Sequence, residues 1–162
     1  MKFTKDAEQL DWAGIAATRL NAEMVRAALG WKGVFSDPHE AAENFPHVVC
    51  SGWKPGRTTD YCSALLASLV DAVVVNMTDV DHVYDKNPRE HSDAKPIEKM
   101  DWERMTGLCG RKHKPGINTP FDPEACRLAA EKKLKVVVLN GRELKNLAAC
   151  LEGKRFAGTT IQ

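Results

Sequence analysis

Residues 71–78 read DAVVVNMT. This continuous apolar run is too short for a typical helix and is expected to form a parallel strand covered on both faces. Before it, YCSALLASLV (61–70) has the apolar face of a helix that starts near Thr58 or Thr59. Further back, HVVCSG (47–52) is short and β-branched and ends in Gly52, which suggests a buried strand running into the loop WKPGRTTD (53–60). Beyond the central run, KVVVLN (135–140) and GTTI (158–161) read as strands, and AKPIEKM (94–100) as a small one. Strands that alternate with helices imply right-handed crossovers and a mainly parallel sheet with helices on both faces. The expected class is α/β, a three-layer αβα sandwich.

The helices carry their own signals. Residues 12–29 place Ile15, Leu20, Met24, Ala28 and Leu29 near helical spacing, with Gly30 as the stop and Asp11 as the expected N-cap. In SDPHEAAENF, Asp37 is the expected N-cap, Pro38 takes the first helical position, and Glu40 is spaced for a capping box. DWERMTG (101–107) suggests a short helix, Asp122 and Pro123 open another, and RELKNLAACLEG (142–153) is expected as a helix opening at Asn140. The stretch GLCGRKHKPGINTPFD (107–122) is rich in Gly, Pro and basic residues and reads as a long loop. Its RKHK cluster, Arg111 to Lys114, fits a solvated face better than a phosphate clamp.

A chain of 162 residues, 43% hydrophobic and 28% charged, has the profile of one globular domain. Its 23 basic and 22 acidic residues give a net charge of +1, so no global field recruits nucleic acid or an anionic membrane. No apolar run approaches the roughly 18 residues of a membrane span, and MKFTKDAEQLDW lacks the apolar core of a signal peptide. A cytoplasmic location is expected. The five cysteines are scattered without a CxxC arrangement and read as reduced thiols, mostly small core residues. The five histidines show no metal-ligand spacing.

In an open α/β sheet, ligands collect beyond the carboxyl ends of the strands. Two polar loops, SGWKPGRTTD and TDVDHVYDKNP (78–88), directly follow expected strands and should lie along one rim. The first offers Gly52 and Gly56 for close backbone approach, Arg57 for charge, and two hydroxyls at the first turn of a helix, where backbone N–H groups favour an anion. It lacks the spacing of a P-loop. The alternative is an ordinary loop with Thr58 or Thr59 as N-cap. In the second loop, Asp79, Asp81 and Asp85 suggest a cation site, but the calcium-loop pattern fails because Val83 and Tyr84 fall where a ligand and a Gly are needed. A magnesium site built on one carboxylate and substrate phosphates stays open, as does a purely turn-capping role.

Taken together, these segments resemble the amino-acid kinase superfamily, and most closely its archaeal-type UMP kinases. DWAGIAATRLNAEMVRAAL (11–29) looks like that family's first helix after its aspartate. GWKPGRTTD (52–60) is similar to the HPGHTTD-type loop, and MTDVDHVYDKNP (77–88) to the TNVDGVYxxDP segment. Residues 120–161 follow the family's C-terminal pattern. The resemblance implies the amino-acid kinase fold over a single domain, 1–162, and transfer of the γ-phosphoryl group of ATP to UMP in pyrimidine nucleotide (CTP) synthesis. It implies that Asp11 binds the ribose of UMP and that Trp53, Lys54, Pro55, Gly56, Arg57, Thr58 and Thr59 wrap the nucleotide. It places Thr78, Asp79, Tyr84 and Asn87 in the ATP subsite, with Mg²⁺ accompanying ATP, and a homohexamer as the assembly. Asn87 stands where the family usually has Asp, Asp79 where it has Asn, His82 where it has Gly, Trp53 where it has a smaller polar residue, and Arg57 where it has His.

Family members begin with a strand and a Gly-Gly-Ser type turn, then a helix, another strand, and a second Gly-rich loop with a basic residue. Met1 aligns just before the family's aspartate, and Lys2 and Lys5 precede no Gly-rich turn. The resemblance thus implies an N-terminally incomplete domain whose catalytic groups lie in the missing segment, with little turnover expected from Met1 onward. A truncated reading frame or a misassigned start is the expected origin, testable in the upstream DNA. Two other functions compete: a non-catalytic nucleotide-binding or assembly subunit, and a kinase of the same fold acting on another small acceptor.

Overall fold

The structure is a computed structural model and describes residues 6–110 and 120–162. The expectations for Lys2, Lys5 and the RKHK cluster lie outside those residues. The chain divides into two compact units, Met1–Asp71 and Ala72–Gln162. None of the described helices is long and apolar enough to cross a membrane.

The first unit is built on α1 (Ala7–Leu29). Its N-cap is Asp6, whose side chain accepts from the Glu8 amide at 3.0 Å, and it ends where Gly30 turns left-handed at φ 68°. The helix therefore starts one turn or more before the expected place, because Asp6 supplies the cap that the spacing had assigned to Asp11. Asp11 becomes an interior helical residue, with its carboxylate available for other work. After α1 come β1 (Val34–Phe35), α2 (Pro38–Glu43), β2 (Val49–Cys50) and α3 (Thr59–Val70). The two strands pair in parallel, Val34 with Val49 and Phe35 with Cys50. Asp37 caps α2 through the His39 amide and Thr58 caps α3 through the Tyr61 amide, as the sequence suggests. The two-residue β1 carries no pattern long enough to be expected.

The second unit contains β3 (Val74–Thr78), β4 (Val83–Tyr84), β5 (Pro96–Ile97), β6 (Lys99–Met100), α4 (Trp102–Cys109), α5 (Pro123–Glu131), β7 (Val136–Asn140), α6 (Leu144–Leu151) and β8 (Thr159–Ile161). Its four-stranded sheet has the order β3-β7-β8-β6. β3 and β7 are parallel in register from Val74–Val136 to Thr78–Asn140, whereas β8 runs antiparallel to β7 and parallel to β6. β7 is the strand that is buried along Val136–Leu139. β3 lies at the edge of this sheet and leaves Met77 exposed, so the covering expected of DAVVVNMT belongs instead to β7. Phe121, Met105, Cys126 and Ile161 are also fully or nearly fully buried, Ile161 paired with Val136 of β7. The buried Trp102 satisfies its indole N–H on the Leu134 carbonyl at 3.0 Å. α6 opens at Leu144 rather than at Asn140, which is the last residue of β7; the Asn140 side chain accepts from the Arg142 amide in the turn between them.

Candidate functional site

Two clusters hold the residues singled out above, one in each unit. In the first, residues 54–57 form a turn closed by the Arg57 amide donating to the Lys54 carbonyl at 3.1 Å. Pro55 takes the second position and Gly56 the third with φ 75°, the arrangement of a type II turn. No neighbouring atom crowds Gly56, so glycine is required there by the backbone angle alone. The Gly56 amide donates to Asp11 Oδ2 at 2.7 Å. One strand-side step earlier, the Gly52 amide donates to Thr18 Oγ1 at 2.8 Å, and a β-carbon at Gly52 would meet that same Oγ1 at 2.9 Å.

Asp11 and Thr18 are seven residues apart, two helical turns, and so share one face of α1. The loop 52–56 is fastened to that face at both ends. Thr18 is a residue that sequence reasoning missed; its i, i+7 relation to Asp11 is the signal that could have found it. The two cations of the loop each rest on an aromatic ring: Lys54 Nζ lies 3.7 Å from the centre of the Trp53 ring in the loop, and the Arg57 guanidinium lies 4.3 Å from that of Tyr61 in the first turn of α3. His39 on α2 meets Trp53 edge-on, with ring centres 6.2 Å apart. Thr58 spends its hydroxyl as the N-cap of α3, and Thr59 is the first residue of that helix. The structure therefore brings Asp11 against Gly56, within the turn that leads into Thr58 and Thr59. Nearby, burial pushes the Cys62 thiol up from its ordinary value, with a backbone hydrogen bond to Trp53 opposing.

In the second cluster, the Thr78 hydroxyl ends β3 by donating to the Val80 carbonyl at 2.8 Å while accepting from the Val80 amide at 3.2 Å. The three carboxylates each find a separate protein partner. Asp79 pairs with Arg89. Asp81 accepts from the Tyr84 hydroxyl at 2.7 Å, and Asp85 accepts from the Lys95 amide at 2.8 Å. The Tyr84 hydrogen bond holds the Asp81 carboxyl below the usual carboxylate range, and the same bond raises the Tyr84 phenol above its ordinary value. The Lys95 amide likewise lowers Asp85.

Asn87 accepts from the Arg89 amide at 3.1 Å and donates to Glu90 at 2.8 Å. Arg89 thus connects Asp79 with Asn87, whereas Tyr84 is tied to Asp81. His82 stacks edge-on against Tyr84 with ring centres 6.4 Å apart. Its Nδ1 is buried 3.3 Å from Asp81 Oδ2 without the alignment of a hydrogen bond.

Two features hold this loop that the sequence reading did not pick out. The buried Thr159 hydroxyl on β8 accepts from the Val83 amide at 2.8 Å and donates to the Ile97 carbonyl at 2.5 Å, so it joins β4 and β5 to the main sheet. β4 itself, paired antiparallel with β5, falls inside what reads as loop. Beside Thr78, the Gly141 amide donates to the Thr78 carbonyl at 2.9 Å, and a β-carbon at Gly141 would stand 2.9 Å from that of Met77. The Asn140-Gly141 dipeptide at a strand end is the visible signal for that close approach. Among the described residues no three metal-ligating side chains gather.

The chain belongs to the amino acid kinase family, whose sequence pattern matches residues 2–140. Its fold is accordingly the α/β fold of that family. It is 32% identical over 161 residues to a uridylate kinase of Methanobrevibacter smithii, in an alignment taking in 94% of this chain and 71% of that protein. A uridylate kinase of Thermoplasma volcanium is 36% identical over 160 residues, 94% of this chain and 70% of its own length. Among solved structures, uridylate kinase from Archaeoglobus fulgidus superposes with a TM-score of 0.79 at 30% identity, covering 97% of this chain and 73% of the other.

Proposed function

We propose that the chain is a UMP kinase, carrying the γ-phosphoryl group of ATP to UMP and yielding UDP for pyrimidine nucleotide synthesis. The observation that carries this reading is the collinear likeness to uridylate kinases at 32% and 36% identity over nearly the whole chain. Both compact units are read as parts of one amino-acid kinase domain.

The acceptor side is assigned to the first unit. Asp11 is acceptor-only, and one hydrogen bond from Gly56 leaves further lone pairs on its two oxygens for ribose hydroxyls. Arg57, Thr58 and Thr59 stand at the opening of α3, where the helix dipole and backbone amides favour the monophosphate. Trp53, Lys54, Pro55 and Gly56 shape the remaining wall. Arg57, a fixed charge on an aromatic face, offers two parallel donors to a phosphate, which a histidine cannot do.

The donor side is assigned to Thr78, Asp79, Tyr84 and Asn87, with the Tyr84 ring against the nucleotide. Mg²⁺ fits a site of this composition as an ion held chiefly by the phosphates of ATP, with Asp79 or Asp81 as the one carboxylate the chain would add. When bound, it would supply positive charge to offset the negative charge that develops during transfer. A homohexamer in the cytoplasm completes the proposal.

Calorimetric titration of the chain with UMP, CMP and isopentenyl phosphate, beside an assay for the phosphorylated product, tests it. UMP is expected to bind most tightly of the three acceptors, with UDP as whatever product forms with ATP. Preference for either competitor would replace the acceptor, and UMP binding without ATP binding would leave a nucleotide-binding subunit.

A further inference from the structure

Cys109 is the last residue of α4, and Cys126 lies near the start of α5, behind its Asp122 cap and Pro123. Both side chains are buried, and their Sγ atoms are 3.2 Å apart. Neither takes part in the proposed phosphoryl transfer. We propose that Cys109 and Cys126 form a redox-active dithiol, which a hydroperoxide converts into an intramolecular disulfide joining the end of α4 to the start of α5.

The geometry is close to that of the product. Disulfide sulfurs sit about 2.05 Å apart, so closure needs a shift of about 1.2 Å, within reach of small side-chain rotations at two helix ends. The polarity of the helices assigns the roles. Cys126 lies at an amino-terminal end, where the helix dipole favours a thiolate, and Cys109 at a carboxyl-terminal end, where it does not. The Cys126 thiolate attacks the peroxide, cleaving its O–O bond to give a sulfenic acid and releasing an alkoxide or hydroxide that takes a proton. The Cys109 sulfur then displaces the sulfenic oxygen, which leaves as water. Two thiols and one hydroperoxide give one disulfide, one alcohol or water, and one further water.

Access runs through the end of α4, where Cys109 is followed by exposed Gly110 at φ 76°; terminal turns of short helices open at low cost. The consequence of the bond is a tie across residues 110–125, which stabilises the unit that contains β3 and β7.

The test treats the 162-residue chain with hydrogen peroxide, alkylates remaining thiols in denaturant, and maps the digest by mass spectrometry with and without reductant. The expected product is a reducible peptide pair joining Cys109 to Cys126, retained in a Cys50→Ser, Cys62→Ser, Cys150→Ser variant. It should be accompanied by a rise in Tm of about 5 °C that reductant reverses. Full alkylation of all cysteines after peroxide, conversion of Cys109 or Cys126 to sulfinic acid, or a dominant link to any other cysteine would overturn the proposal. Because the wild-type digest alone decides between these, a variant that failed to fold would not obscure the result.

Discussion

Residues 52–59 and residues 78–87 each leave the carboxyl end of a strand, and each is proposed to contact a nucleotide, yet they are held in different ways. The first is clasped from outside. Its backbone amides at Gly52 and Gly56 reach Thr18 and Asp11 on a single helix face, and its cations lie on the rings of Trp53 and, in the helix that follows, Tyr61. The second is held from within and from far along the chain. Its carboxylates are engaged by Arg89, Tyr84 and Lys95, and its strand is pinned by Thr159. A carboxylate therefore means something different in each place: Asp11 is presented towards the loop proposed to hold UMP, while Asp79, Asp81 and Asp85 accept from or pair with groups of their own loop and its flank.

The contrast can be broken most sharply at Thr159. Thr159→Val keeps the shape but removes the partner of both the Val83 amide and the Ile97 carbonyl, two buried polar groups. Leaving them unsatisfied should cost about 3 kcal/mol, read as a lower midpoint in urea unfolding, with faster amide exchange at Val83. Thr159→Ser, which keeps the hydroxyl, should recover most of the loss. An unchanged midpoint in the valine variant would mean that the second loop is self-supporting.

On the clasped side, Asp11→Ala should weaken UMP binding by about 30-fold, or ~2 kcal/mol, the scale of hydrogen bonds to a charged group. Asp11 is exposed, so the unfolding midpoint should scarcely move. A smaller effect belongs to Thr18→Val, which frees the Gly52 amide without touching the turn at Gly56. It should raise KM for UMP a few-fold, about 1 kcal/mol, with Thr18→Ser restoring it. If Thr18→Val and Asp11→Ala had equal effects, the two fastenings would be acting as one structural unit, and the ligand-facing role of Asp11 would lose its support.

The sequence makes the local half of this arrangement readable. Asp37 with Pro38, Thr58 before its helix, and Asp122 with Pro123 all cap where expected, because a cap and its amide lie within three residues of each other. The same reasoning misplaced the start of α1, since Asp6 and Asp11 are both capping residues and hydrophobic spacing alone does not choose between them. The α/β class was legible from strand and helix alternation, and the family from collinear segments. The ties that shape the candidate site were not: Thr159 meets Val83 from 76 positions away, and Thr18 meets Gly52 from 34. Hydroxyls of this kind carry no local pattern, because their partners are chosen by tertiary packing. The contact between Cys109 and Cys126 is hidden for the same reason.

The smallest effect examines the inner hydrogen bond of the second loop. The bond requires an ionised Asp81 and a protonated Tyr84. Because the folded state lowers Asp81, its contribution is present above the unfolded carboxylate value of about 3.9 and is lost as pH falls through the folded value beneath it. Because the folded state raises Tyr84, the contribution is present below the unfolded phenol value of about 10 and is lost as pH rises through the folded value above it. Asp81 is exposed and Tyr84 half-buried, so solvent screens the bond and it should contribute less than about 1 kcal/mol to stability between those limits. Its clearer signature is spectroscopic. In a Tyr61→Phe background, where Tyr84 is the remaining tyrosine, ultraviolet titration should show the phenol ionising above its ordinary value, and Asp81→Asn should return it towards about 10. A Tyr84 titration indifferent to Asp81→Asn would mean that Asp81 is not spent inside the loop. The division between a clasped loop and a self-tied one would then fail at the residue where it is easiest to measure.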